Sequence, residues 1–282
     1  MSNSLDTPIN PENIKKDGPI QVSNVMKDDF GFEIPQESVP LPSRGVIYPQ
    51  DGPLHGQETI DIRPMTAREE DILTSRAYIK SGTVLTKLLQ SCIVNKSIKP
   101  DSLISGDRNA LLVSLRITGY GADYDVEVDC PECGTKSKQT FDLSQLQIKR
   151  LEVEPVVQGD NLFEVQLPVT KKSVRVKFLT GSDEREMMIT NERKKKSGMK
   201  TETAITDRLI RSIVSVDGIT DRNKLSFFVK NLPARDSLSL RRFLDKHEPG
   251  IIMKSWMDCP HCHEQSEVGL PMGASFFWPD TE

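Results

Sequence analysis

Long apolar runs are missing from this 282-residue sequence: the longest, such as Ala110–Val113 and Phe227–Val229, fall far below the ~20 residues a membrane-spanning helix requires. The segment Met1–Asp28 is polar and lacks an apolar core followed by a cleavage site, so no secretory signal is expected and a reducing cytoplasm is. An excess of positive charge is also missing. With 37 Lys and Arg against 41 Asp and Glu the formal net charge is −4, which argues against a general binder of polyanions. The sequence has no G-x-x-x-x-G-K-[ST] loop, no G-x-G-x-x-G turn and no H-E-x-x-H pair, and no Ser or Cys nucleophile stands in a recognisable setting. These absences point away from an enzyme.

What is present is ordinary globular composition, 36% hydrophobic and 28% charged, over a length that holds two ordinary domains or one elaborated one. A core can be buried without disulfides. The five cysteines are an odd number, and four of them form two C-x-x-C pairs. In a reducing compartment such pairs are more often metal ligands than disulfides.

From Met1 to Glu58 the chain carries many Pro, Asp, Asn and Ser residues and no sustained apolar period, which reads as an extended N-terminal arm over 1–58. Within it Val39-Pro40-Leu41-Pro42-Ser43-Arg44-Gly45-Val46-Ile47-Tyr48-Pro49 interleaves apolar residues with prolines that favour extended backbone. The pattern fits a partner-binding strip or a strip packed on its own domain.

After the arm the sequence repeats. Leu103, Asp107, Leu111, Leu115, Gly121, Asp129, Cys130, Pro131 and Cys133 recur as Leu232, Asp236, Leu240, Leu244, Gly250, Asp258, Cys259, Pro260 and Cys262, at one spacing (232 − 103 = 129) with no gap. Leu85–Val94 pairs with Ile205–Val214 at an offset of 120, and Ile60-Asp61-Ile62 with Thr66 and Glu70 pairs with Val174-Arg175-Val176 with Thr180 and Glu184 at 114. A growing offset is what insertions between the elements of a second copy produce. The expectation is an α+β fold built as a tandem duplicated domain, with repeat A over 59–150 and repeat B over 160–280.

Each copy reads alike. Alternation in Thr59–Arg63 and Ser173–Lys177 predicts a strand with one buried face. Thr66 stands three residues before Glu69, and Thr180 three before Asp183, as in a capping box at a helix start. Leu85, Leu88, Leu89, Cys92 and Ile93 form a helical stripe, as do Ile205, Leu209, Ile210, Ile213 and Val214. A further helix follows near Asp107–Ile117 and Asp236–Lys246. Strands then flank each cysteine pair.

Asp129-Cys130-Pro131-Glu132-Cys133-Gly134 and Asp258-Cys259-Pro260-His261-Cys262-His263 read as zinc-knuckle turns. Two intervening residues let both thiolates point at one centre, Pro presets φ, and Gly134 permits a left-handed residue. Cys130, Cys133, Cys259 and Cys262 are accordingly the expected metal ligands, closing one tetrahedral, structural Zn2+ site between the copies. Four thiolates leave no open position for water, so catalytic zinc is not expected. Redox use is the competing reading, but it needs the motif at a helix start, whereas the alternating segments Tyr124–Val128 and Thr140–Leu143 predict a hairpin. His261 and His263 read as outer or solvent-exposed neighbours, His55 and His247 show no partner pattern, and Cys92 reads as a small core side chain. The run Arg193-Lys194-Lys195-Lys196 with Lys200, beside Gly198, reads as a solvated loop.

Leu41-Pro42-Ser43-Arg44-Gly45-Val46-Ile47-Tyr48-Pro49, then Ile62-Arg63-Pro64-Met65-Thr66-Ala67-Arg68-Glu69-Glu70-Asp71-Ile72-Leu73, Gly106-Asp107-Arg108 and Cys130-Pro131-Glu132-Cys133-Gly134 together resemble the T4-type bacteriophage baseplate hub subunit family. The resemblance covers most of the chain from residue 40. It implies a structural or assembly protein of a contractile-tailed phage that takes part in building the baseplate hub, made in the host cytoplasm and either kept in the virion tail baseplate, the expected place, or released as an assembly factor. Its partners would be other baseplate hub and tail proteins, among them the tape-measure protein, with no small-molecule substrate and no membrane. It supplies no catalytic residues. The alternative is a zinc-ribbon nucleic-acid-binding protein, which the acidic residues Asp125, Glu127, Asp129, Glu132 and Asp258 around the knuckles disfavour.

Overall fold

Regular structure begins earlier than the arm reading allows. The computed structural model describes residues 22–27, 33–196, 203–272 and 274–277. Strands β1 (Val22–Lys27), β2 (Glu33–Pro40) and β3 (Thr59–Ile62) form an antiparallel sheet in that order. The loop from β2 to β3 buries Leu41, Ile47, Tyr48 and Leu54 in the main core. The expectation of an arm over 1–58 is thus corrected for residues 33–58, and the Val39–Pro49 strip packs on its own domain. Nor does the strip stay extended. Arg44 (φ 54°) and Gly45 (φ 70°) are left-handed and fold the chain back, and a Cβ on Gly45 would lie 2.5 Å from the amide nitrogen of Gln57. Residues 1–21 and 28–32 lie outside the described residues.

The first half continues with helices α1 (Ala67–Thr74), α2 (Arg76–Ser81), α3 (Val84–Cys92) and α4 (Ser105–Tyr120). On α3 the expected stripe is buried through Leu88, Leu89 and Cys92. Burial, with the Glu69 charge nearby, pushes the Cys92 thiol up to about 12, so it is an inert core group. Helix α4 runs through the middle of the core, burying Ala110 to Leu115. The hairpin β4 (Asp123–Asp129) and β5 (Lys136–Asp142) follows, then the short β6 (Ile148–Lys149).

The second half comprises β7 (Phe163–Gln166), β8 (Ser173–Val176), α5 (Gly181–Lys196), α6 (Ala204–Ser212), β9 (Ile213–Val216), α7 (Arg222–Lys230), α8 (Ala234–His247), β10 (Gly250–Ile251) and the hairpin β11 (Lys254–Asp258) with β12 (Gln265–Gly269). Two details differ from the sequence reading. The stripe predicted over Ile205–Val214 ends at Ser212, because Ile213–Val216 extends the β7-β8 sheet as its third strand. Arg193–Lys196 is the last turn of α5 rather than a loop, where cations complement the helix dipole and the Lys194 ammonium meets the Asp207 carboxylate at 2.6 Å. Gly198 and Lys200 lie outside the described residues.

The halves are stitched together along a seam. β10 pairs antiparallel with β6, the Ser105 amide donates to the Leu179 carbonyl at 2.8 Å, and the Gly181 amide to that of Leu103 at 3.0 Å. Gly106 is required there, since a Cβ would stand 1.8 Å from the Pro249 carbonyl oxygen.

The same bonds recur in both halves. The Arg63 amide donates to the Cys92 carbonyl, and the Lys177 amide to that of Ser212. The Glu69 carboxylate, fully buried, accepts from the Thr66 amide and hydroxyl and pairs with Arg63 at 2.7 Å; Asp183 does the same with Thr180 and with Lys177 at 2.6 Å.

Burial raises the Glu69 carboxyl, but hydrogen bonds from Arg63, Ser91 and Thr66 outweigh it and hold it at about 2. Because this lies below its ordinary value of 4.5, the contribution to stability is present above that pH and is lost as pH falls through about 2. Glu69→Gln is expected to cost about 2 kcal/mol at neutral pH and to flatten the acid limb of the stability curve. Urea unfolding at successive pH values measures both; a parallel, merely displaced curve counts against the pairing.

Candidate metal centre

The two hairpins present their turns to each other. Cys130 and Cys133 lie in the β4–β5 turn and Cys259 and Cys262 in the β11–β12 turn, and β12 packs beside β4. The turns close by matching bonds. The Cys130 amide donates to the Thr135 carbonyl and the Gly134 amide to Cys130; the Cys259 amide donates to Glu264 and the His263 amide to Cys259, all at 2.9–3.0 Å. The residue after each second cysteine is left-handed, Gly134 at φ 69° and His263 at φ 61°. His263 thus occupies the conformational place of a glycine, and both His261 and His263 are exposed, as expected for residues outside the cluster.

The four sulfurs meet across the hairpins. Cys130 Sγ lies 3.8 Å from Cys262 Sγ and Cys133 Sγ 3.7 Å from Cys259 Sγ, and all four lie within 4.8 Å of one another. A disulfide places its sulfurs about 2.05 Å apart. A tetrahedral ion with bonds of about 2.3 Å sets its thiolates about 3.8 Å apart. The spacings of 3.7 and 3.8 Å therefore fit a four-thiolate cage and not a disulfide. Cys130 and Cys259 are buried, as are the strand residues Val128 and Met257, while Cys133 is exposed.

Local donors favour charge on the sulfurs. The Thr135 hydroxyl and amide bring the Cys133 thiol down to about 6, and the Cys262 and His261 amides lower that of Cys259. The Glu264 amide favours a thiolate at Cys262, yet burial and the other three sulfurs push that thiol up to about 12. Gathering further negative charge into one cage is opposed, and a divalent cation relieves that opposition. The rim carries exposed Asp125, Glu127, Asp129, Glu132 and Asp258, with Lys136 within 4 Å of Glu127 and Asp129.

The class defined by these features is a mixed α+β protein with a four-cysteine cluster suited to holding a metal ion. The family model described as T4 bacteriophage base plate protein matches residues 48–278, and the chain belongs to that family. No curated protein and no solved structure matches the chain. Among the described residues no helix is long and apolar enough to cross a membrane.

Proposed function

We propose that this base plate protein is a structural subunit of the hub, made of two copies of one domain that a single zinc ion clamps through Cys130, Cys133, Cys259 and Cys262. The observation that carries the metal role is the 3.7–3.8 Å spacing of sulfurs drawn from two hairpins more than a hundred residues apart. The duplication is supported by bonds that recur with the sequence offset: Arg63–Glu69 with Lys177–Asp183, and the two cysteine turns with their matched left-handed residues. Repeat A then starts at β2, before residue 59, because β2 and β7 each pair with the strand that leads into a capped helix.

The metal's part is mechanical. Four thiolates fill a tetrahedral shell and leave no position for substrate or water. The partners are other hub and tail proteins, with the tape-measure protein among them, and the acidic rim disfavours nucleic acid.

Metal analysis of the purified protein is expected to return about one zinc per chain, because both turns close one site. Two zincs per chain, or none with all four thiols rapidly reactive, overturns the shared cage. Finding the protein in complexes isolated from infected cells with hub proteins, rather than with nucleic acid, tests the hub assignment separately.

A further inference from the structure

A cleft of about 490 Å³ opens between α1, α2 and α3, lined by Arg63, Arg68, Tyr78, Lys87, Ser91 and Lys96 among others. Four cations face one cup in a chain of net charge −4. Two of the four are committed to the fold. Arg63 is held by Glu69 and Ser91, and the Lys96 ammonium donates to the carbonyls of Gln90, Ser91 and Ile93 at the end of α3. The other two are not. Arg68 is exposed and makes no ion pair among the described residues, and Lys87 reaches only the Gln90 side-chain oxygen at 3.3 Å. The α1 acid Glu70 turns elsewhere, accepting from the Tyr120 hydroxyl.

The second half shows that the fold does not need these charges. By the offsets of 114 and 120, Arg68 corresponds to Ser182 and Lys87 to Asp207. The matching cleft, about 350 Å³, is lined by Asp207, Ile210, Arg211 and Arg222 among others, and two of its three charged groups are ion-paired. Arg211 pairs with Glu186 at 2.6 Å, Asp207 with Lys194 at 2.6 Å, and Arg222 donates to the Ile213 carbonyl. In the second cleft Asp207 and Arg211 are ion-paired and Arg222 is held by a carbonyl, whereas Arg68 and Lys87 in the first have no acid partner among the described residues.

We infer that the α1–α3 cleft is a docking site for the carboxylates of an acidic segment on a partner protein, with Arg68 and Lys87 supplying the charge that the partner neutralises. A guanidinium without a partner presents a fork matched to a carboxylate, and Lys87 adds a point charge beside it. The charges form one cup rather than a stripe, and the chain is acidic elsewhere, so a peptide carboxylate fits better than a nucleic-acid backbone with its closely spaced phosphates. Tyr78, 37% exposed at the mouth, offers a face for an apolar neighbour of the acid. The correspondence between the two clefts rests on the duplicated-domain reading; the unmatched charge in the first does not.

The test measures binding of a fluorescent glutamate-rich peptide to the full chain, with a single-stranded oligonucleotide and inorganic phosphate as separate arms. The parent is expected to bind the peptide, and Arg68→Ser with Lys87→Asp, the residue types at the corresponding positions 182 and 207, to weaken it at least about tenfold. Binding should also fade toward ~1 M salt, where the screening length is ~3 Å. Zinc content and thermal midpoint are read in parallel, so failure of the two-copy clamp shows separately as a change in those. Peptide binding that survives the double substitution, tighter binding of the oligonucleotide, or capture of phosphate alone overturns the proposal. Should the double variant misfold, Arg68→Gln alone carries the same comparison.

Discussion

With the proposed metal clamp, Cys259→Ser is expected to bind no metal, melt at a much lower temperature than the parent and be cut by protease between the two halves. Cys259 is buried, and its Sγ is the near neighbour of Cys133 Sγ at 3.7 Å. Serine leaves three thiolates and a hydroxyl that binds a borderline-soft cation poorly. The cage is absent from the unfolded chain, so metal affinity enters folding free energy directly. Loss on the order of 5 kcal/mol is a conservative share of what structural zinc sites supply. The damage should be local at first: the β4–β5 and β11–β12 turns separate, and the Tyr124 hydroxyl loses the Pro271 carbonyl it reaches at 2.8 Å. The join then rests on the β6–β10 pairing and on the Ser105–Leu179 and Gly181–Leu103 bonds. Metal analysis, a thermal melt and limited proteolysis read these effects. A variant with parental metal content, midpoint and cleavage pattern refutes the clamp.

How far the sequence discloses this depends on how local each determinant is. The cysteine turns are legible because two residues between thiols, a proline and a left-handed successor are adjacent in the chain. Helix α3 is legible because burial of one face imposes a period, whereas α4, buried on every side over Ala110 to Leu115, shows in the sequence through its leucines and its recurrence at Asp236–Lys246. The strand Glu33–Pro40 and the turn after it carry no period of their own. Their apolar residues are sparse, and what holds them lies elsewhere, at β3 and on α4. A usable signal exists: Leu41-Pro42 recurs as Leu167-Pro168, both leucines fully buried. The Arg193–Lys196 run illustrates the opposite error, since charge density suggests a loop although Lys and Arg are good helix formers. The unmatched cations Arg68 and Lys87 are invisible until the helices place them in one cup. Comparing them with Ser182 and Asp207 already at the sequence level gives the only advance hint.

Asp107→Ala is expected to destabilise the protein by roughly 4 kcal/mol and to release the β2–β3 segment from α4. Asp107 and Asp236 share the 129 spacing, are both fully buried, and occupy the same third position of their helices. Each ties its helix to a Leu-Pro turn. Asp107 accepts from the Ser43 amide at 3.0 Å, the Ser43 hydroxyl at 2.5 Å and the Tyr48 hydroxyl at 2.6 Å. Asp236 accepts from the Val169 and Thr170 amides at 2.7 and 3.0 Å. At Asp107 alanine leaves three buried donors without an acceptor, and each stranded group costs about 1–3 kcal/mol; at Asp236 the two amides are only part-buried and can turn to water. The cost is larger at Asp107, which serves three donors including a buried phenol that itself accepts from the Ile104 amide at 3.1 Å. Asp107→Asn keeps an acceptor and offers an amide to hydroxyls that can turn to accept, so it should cost markedly less. Burial raises the Asp107 carboxyl despite its three donors, whereas at Asp236 the Val169 and Thr170 amides outweigh burial and lower it. The raised group stabilises most fully at low pH and loses that part as pH rises through its folded value; the lowered one contributes above the ordinary carboxylate range and loses it in acid. Lowering the pH should therefore weaken the Asp236 contact and not the Asp107 contact. Chemical denaturation of the alanine and asparagine variants across pH checks the ranking and its pH sense, and hydrogen exchange at the Ser43 and Val169 amides locates it. If Asp107→Ala unfolds at the parental denaturant midpoint with the Ser43 amide still protected, these aspartates are not what fastens each turn to its helix.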